Sequence, residues 1–270
     1  MSRSRATTAV EIRPAGPDDA DAIVDVVRAG FTAAELDLMI YGCAGIQRFV
    51  ALQIERTDGG SDTRYTVALD EERRVVGCVE LRVSPSGVVL NYISVDPMRR
   101  ASGVGRRMLL AALQALPGRA DVISLDVLER NTAASGWYER LGFERRSIAE
   151  WWSFPLGDAV AANGRPAAAF SGYPQAAVCH EAFGFSQVSL ATSSGSYAVG
   201  RIGDRWLRLT DPAALFDPEV PPALRHLAVD RILLIAGPAP IDAALATRAT
   251  LKQRTHRMTA GLDTVRAALR

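Results

Sequence analysis

Two short stretches of this sequence hold residues whose types and spacing could do chemistry. The first is Arg100-Ala101-Ser102-Gly103-Val104-Gly105-Arg106. A β-type run ends before it at Asp96-Pro97, and a helical pattern follows from about Gly103 to Leu116. Glycines two apart at a helix start let the backbone approach a ligand, and the first N–H groups of the helix lack intrahelical partners. Such an end attracts an anion. Cations there oppose the macrodipole, so Arg100 and Arg106 make more sense beside a shared polyphosphate. The stretch reads as a pyrophosphate cradle.

Other phosphate motifs fit less well. No GxxxxGK[ST] is present, and a dinucleotide fingerprint needs its glycines early in a βαβ unit, whereas hairpin strands precede these. The second stretch is Asn131-Thr132-Ala133-Ala134-Ser135-Gly136-Trp137-Tyr138-Glu139-Arg140-Leu141-Gly142-Phe143, one helix and one strand further on.

Taken together, the R-x-x-G-x-G and N-x-x-A-x-x-x-Y-x-x-x-G-F segments resemble the GNAT (GCN5-related N-acetyltransferase) family over roughly residues 10–152. That resemblance implies a mostly antiparallel mixed sheet flanked by helices, and acetyl-CoA as co-substrate. It assigns the CoA pyrophosphate to Arg100, Ala101, Ser102, Gly103, Val104, Gly105 and Arg106, with further cofactor contact from Asn131. The backbone N–H of Val95, just before the proline of the family pattern, is expected to meet the thioester carbonyl where strands separate. Tyr138 matches the family tyrosine assigned as general acid to the CoA sulfur. A phenol of pKa about 10 is protonated at neutral pH and suits that transfer, although the ring could instead pack on the pantetheine as a wall.

The base is open. A lysine amine, with pKa near 10.4, needs one more than an α-amine does. One family pattern places a glutamate early in the third hairpin strand, where Val88-Val89-Leu90 has no carboxylate. Other relatives place one five residues before the asparagine, which here is Asp126. A carboxylate inside an apolar strand is costly unless it faces a cleft or a partner, so Asp126 is either a base or half of an arginine ion pair. Glu80 qualifies by the same argument, and ordered water is the third route.

The elements that position these residues follow from periodicity and breakers. Strands are expected at Val10–Pro14, Arg64–Leu69, Val75–Val83, Val88–Val95, Val122–Leu128 and Phe143–Trp152. Helical patterns open at Pro17, cover Ala33–Arg56 less regularly, and recur at Gly103–Leu116 and Thr132–Leu141. The domain plan is a flexible 1–9, a GNAT domain at 10–153, a linker at 154–176, and an accessory domain at 177–270. The fold class is α+β, with a smaller α/β C-terminal domain.

In the second half, Phe185–Ala191, Ser196–Thr210 and Arg231–Ala236 read as strands and Pro221–Leu227 as a short helix. Ile241–Leu269 reads as a helix, with Leu251, Met258, Leu262, Val265 and Leu269 as its stripe. Arg248, Lys252, Arg254 and Arg257 give it a basic face, either solvated or facing an acidic partner. No internal repeat is detected. Cys179-His180-Glu181 is not expected to be a nucleophile, since chain neighbours rarely face one another, and isolated His226 and His256 give no metal site. This half is expected to shape the acceptor pocket or to form a homodimer.

Composition is ordinary for a soluble protein: 270 residues, 48% hydrophobic, 23% charged, net charge +1. No global field points to nucleic acid. Cys43, Cys78 and Cys179 form no CxxC pair and suit a reducing cytoplasm. No apolar run of membrane-spanning length occurs, and Met1–Thr8 lacks a signal-peptide core. A single lysine among many arginines, with abundant alanine, suggests a GC-rich bacterial source. The expected function is acetyl transfer to a primary amine, on a small molecule or a protein N-terminus, in a ternary complex. The alternatives are a longer acyl-CoA or carrier-bound donor, or a non-catalytic acyl-CoA-binding module.

Overall fold

A computed structural model describes residues 10–56, 62–116, 120–156, 168–237 and 247–270. The expected flexible start, the breakers at Thr57–Gly60 and Pro117-Gly118, residues 157–167 of the linker and the start of the last helix lie outside them. The chain forms two compact units that interleave in sequence: residues 1–32, 47–146 and 257–270 in the first, and 33–46 and 147–256 in the second. Contiguous domains do not describe this. Residues 33–46, expected in the first domain, pack in the second unit, and 257–270, expected in the second, pack in the first.

In the first unit, β1 (Glu11–Pro14), β2 (Thr63–Leu69), β3 (Val75–Ser84) and β4 (Gly87–Val95) run antiparallel in that order. Next comes β5 (Val122–Leu128), parallel to β4. The final place is taken by the end of β12 (Thr250–Gly261). Helices α1 (Ala20–Arg28) and α3 (Ile46–Glu55) precede β2, and α4 (Val104–Gln114) and α5 (Thr132–Arg140) flank β5 in sequence. The expected helical stretch at 33–56 is broken into α2 (Ala33–Leu36), a 3-10 turn at Ile40–Gly42, and α3.

Helix α4 docks on one sheet face through Val104, Met108, Leu109 and Leu113, in one apolar cluster with Val79, Leu81, Val88, Leu90, Ile123, Leu125 and Val127. Burying each such side chain contributes about 2 kcal/mol. The approach is close enough that a Cβ at Gly77 would lie 2.7 Å from the Met108 methyl. Strand side chains alternate between faces, so Glu80 and Asp126, between those apolar positions, lie on the face away from α4.

The second unit repeats the order. β7 (Ala169–Ser171), β8 (Phe185–Ala191), β9 (Ser196–Ile202) and β10 (Trp206–Leu209) are antiparallel, and β11 (Arg231–Ala236) is parallel to β10. β6 (Glu144–Pro155) then pairs antiparallel with β11, register Ile232↔Phe154. Among the described residues, each unit thus has four antiparallel strands, a fifth parallel to the fourth, and a sixth from the other half of the chain. The expectation of no internal repeat is corrected at the level of topology. The signal was missing because α6 (Tyr173–Phe183) has no apolar stripe and buries only Ala176, and because β10 leads into prolines rather than a glycine loop.

The expected C-terminal helix is also corrected. Among the described residues of that stretch, Thr250–Gly261 is strand β12 and the helix is Leu262–Ala268, α8. Met258 and Ala260 are buried at strand spacing, whereas Leu262, Val265 and Leu269 are buried at helix spacing. Gly261 is where the period changes.

Candidate active site

Strand β4 carries the irregularity that makes the site. Its register with β3 runs Val95↔Gly77 to Tyr92↔Glu80 and resumes at Leu90↔Leu81, leaving Asn91 as an extra, bulged residue. On the other side, parallel pairing covers Val88↔Ile123, Val89↔Ser124 and Leu90↔Leu125 only. Beyond Leu90, the two central strands part.

Backbone direction follows from one hydrogen bond. The Asp96 N–H donates to the Val76 carbonyl at 2.9 Å, across to β3. Because N–H groups alternate sides along a strand, those of Val95 and Ile93 point away from β3, to the side where β4 has no register partner. The Val95 carbonyl on that side accepts from Arg100 Nε at 3.2 Å.

The chain then turns into α4. Asp96 Oδ1 accepts from the Met98 N–H at 2.7 Å, capping a 3-10 turn at Pro97–Arg99. The Ser102 hydroxyl donates to the Arg99 carbonyl at 2.5 Å. Ala101 (φ +58°) and Gly103 (φ +85°) are left-handed, and no side chain caps the helix. The first α-helical bond runs from the Arg107 N–H to the Gly103 carbonyl. The N–H groups of Val104, Gly105 and Arg106 are therefore left over at the helix start. A Cβ at Gly103 would meet nothing within 4 Å, and one at Gly105 would touch Val95 and Ile93 at 3.6 and 3.9 Å.

The side chains of the cradle divide. Arg100 is exposed beside the helix start, whereas Arg106 Nε donates to the Leu269 carbonyl at 3.0 Å. Val104 is buried in the apolar cluster. Asn131 caps α5, its Oδ1 accepting from the Ala134 N–H at 3.2 Å.

Tyr138 is buried in the same apolar cluster against which Val95 and Ile93 pack. Its ring lies 5.2 Å from Trp137 and 5.6 Å, edge-on, from Phe143. Burial pushes its pKa well above the ordinary phenol value. Cys78 is buried too, its thiol pushed up to about 12 by burial and then by Glu80, which makes it a poor nucleophile.

Asp126 forms an ion pair with Arg257 of β12 at 2.9 Å. Desolvation raises its pKa, and Arg257 opposes the rise. Glu80 is buried, accepts from Asn91 Nδ2 at 2.5 Å, and has Arg82 Nε at 3.8 Å. On the same face, Phe31 and Tyr92 stack edge-on at 6.1 Å.

Sequence reasoning missed Asn91 and Arg257. A polar residue between Leu90 and Tyr92 was the available hint for Asn91. For Arg257 the hint was the arginine partner expected of Asp126, but only strand order says which arginine it is. The basic face expected on a last helix is corrected with it: Lys252, Arg254 and Arg257 lie on β12, where Arg254 pairs with Glu150 at 2.8 Å. Cys179 and His180 sit on α6, and His180 lies 3.1 Å from Asp204 rather than facing the thiol. Within the second unit, a cavity of about 440 Å³, lined by Glu35, Asp37, Arg205, Trp206 and Lys252 among others, shares no residue with the cradle.

Parted central strands leading into an uncapped helix start are the features of the candidate site. Residues 61–145 match the family described as Acetyltransferase (GNAT) domain. Two curated relatives are mycothiol acetyltransferases. That of Thermobispora bispora is 46% identical over 57 residues, taking in 21% of this chain and 19% of its own. That of Gordonia bronchialis is 44% identical over 68 residues, 24% of this chain and 22% of its own. The chain thus spans about a fifth of the length of the curated relatives it matches. Among solved structures, a tandem GNAT protein from the clavulanic acid biosynthesis pathway matches with a TM-score of 0.62, at 12% identity, over 94% of this chain and 99% of that one. That is a likeness of fold, and it covers both units. Among the described residues, no helix is long and apolar enough to cross a membrane.

Proposed function

We propose that the first unit transfers an acetyl group from acetyl-CoA to a primary amine by direct attack. The observation that carries this reading is the row of backbone N–H groups at Ile93 and Val95, opening beside the uncapped start of α4. Arg100 and the N–H groups of Gly103 to Arg106 hold the pyrophosphate, with Ala101 and Ser102 shaping the turn and Asn131 contacting the cofactor. The Val95 N–H donates to the developing oxyanion, a contact of the kind whose loss costs about 10²–10³ in turnover.

The amine nitrogen attacks the thioester carbonyl, and the carbon–sulfur bond breaks. Tyr138 gives its proton to the leaving thiolate, and the amine's proton passes to Asp126. A raised carboxylate pKa supports that base assignment, since it lies nearer to working pH. Metal plays no part in this scheme.

The test is CoA release from acetyl-CoA across small amines, polyamines, aminoglycosides and peptide N-termini. Mycothiol-series acceptors join the panel because of the two relatives. Acetyl-dependent release with one acceptor class supports the proposal. Release only from longer acyl-CoA would move the assignment to another donor, and tight acetyl-CoA binding without transfer to any amine would leave a binding module.

A further inference from the structure

The bulge in β4 has a fastener. Asn91, the residue without a register partner, donates its side-chain amide to Oε1 of Glu80 on the neighbouring strand at 2.5 Å. Glu80 is buried, with 2% of its surface exposed. A buried side-chain oxygen that accepts from the bulged residue is local glue, because breaking the bond would leave a buried polar group without a partner. The bulge decides which N–H groups of β4 face the gap: removing the extra residue would shift the strand by one and turn Ile93 and Val95 toward β3.

We infer that Glu80 and Asn91 are positioning residues for acyl transfer, clamping the β4 bulge so that the Val95 N–H meets the thioester carbonyl. Glu80 then acts through the backbone and is not the base. This rests on the acetyl-transfer reading of the same site. The Glu80 side chain is closed off from solvent and held by Asn91, whereas that of Asp126 is 44% exposed and open to an arriving proton.

Asn91→Ala and Glu80→Ala in the full chain should each lower kcat by about tenfold or more, the effect of a misplaced reacting group, while KM for acetyl-CoA changes less than twofold. Glu80→Gln keeps an oxygen facing Asn91, so it should recover most of the turnover lost in Glu80→Ala with the acid limb of its pH profile in place. Loss of that limb in Glu80→Gln makes Glu80 the base and overturns the inference, as does wild-type kcat in Asn91→Ala. Hydrogen exchange provides a readout independent of turnover. In Asn91→Ala, exchange over residues 91–95 should differ from wild type while that of α4 is unchanged, and identical exchange over 91–95 also overturns the clamp. Should wild type acetylate no amine at all, the transfer reading fails, and the exchange comparison still decides the clamp.

Discussion

Arg257 lies 2.9 Å from Asp126, so a residue of the C-terminal strand holds the carboxylate that β5 presents beside the parted strands. The two act on the proton affinity of Asp126 in opposite senses: desolvation raises it, and the guanidinium lowers it. Neutralising the arginine removes the lowering influence. Arg257→Gln should therefore move the acid limb of kcat/KM to higher pH, and Asp126→Asn should abolish the limb. An acid limb that stays in place in both variants would take Asp126 out of the chemistry.

The same shift has a consequence for stability. With its folded pKa above the ordinary value for an aspartate, Asp126 holds its proton longer folded than unfolded. Its contribution is fully present below that value and is lost as pH rises through the folded pKa. Thermal melts of wild type and Asp126→Asn should diverge across that interval, with wild type losing more on going to higher pH. Parallel curves would mean that Asp126 has the same proton affinity folded and unfolded.

Tyr138 is protonated over the whole working range, since burial moves its pKa up and away from neutrality. Tyr138→Phe keeps the ring among Trp137, Phe143 and the apolar cluster while removing the proton. Turnover should fall about 10²-fold, in line with the loss of a general acid, with acetyl-CoA affinity within twofold. If turnover is unchanged, the ring is a wall and not an acid.

The turn and helices that carry the candidate residues were legible in the sequence, and the reason is local. Arg100 to Gly105 and Asn131 to Phe143 each lie on one turn and one helix, so their spacing along the chain is also their spacing in the fold. The hairpin strands β2, β3 and β4 were legible for the same reason. Arg257 was not, because its place depends on β12 lying beside β5, which no local pattern encodes. The β12 error had a physical source. Met258, Leu262, Val265 and Leu269 are spaced as on a helix across a strand–helix junction, and Gly261 was the hint that the pattern changed hands. The repeated topology left no trace in motif form. Strand order can persist after the glycine loop is lost, because burial of the strands depends on apolar pattern rather than on the loop.

Cradle residues can be separated by what each is expected to lose. Arg100→Ala removes an exposed cation whose charge-assisted contacts contribute about 1.5–3 kcal/mol each, so acetyl-CoA should bind about tenfold or more weakly by calorimetry, with salt sensitivity reduced. Gly103→Ala meets no steric obstacle, but its φ of +85° strains any residue with a Cβ. That costs about 1–2 kcal/mol and should appear as a lower melting temperature. Equal affinity in Arg100→Ala would remove the pyrophosphate from this loop.

The last prediction concerns the second unit, whose strand order matches the first while its equivalent of the cradle does not. β10 stays paired with β11 along its whole length, Trp206↔Arg231 to Leu209↔Leu234, with no bulge and no parting of strands. After Leu209 the chain runs through Thr210-Asp211-Pro212 into a 3-10 turn, and then α7 (Val220–Leu224), which holds Pro221 and Pro222. Nothing there matches the glycine-led start of α4. Proline removes backbone N–H donors, so this connection is poorly suited to cradling a pyrophosphate. Calorimetric titration with acetyl-CoA should therefore give one site per chain, and Arg100→Ala should weaken all of the binding observed. A second site that survives Arg100→Ala would mean that the second unit binds the cofactor by other means.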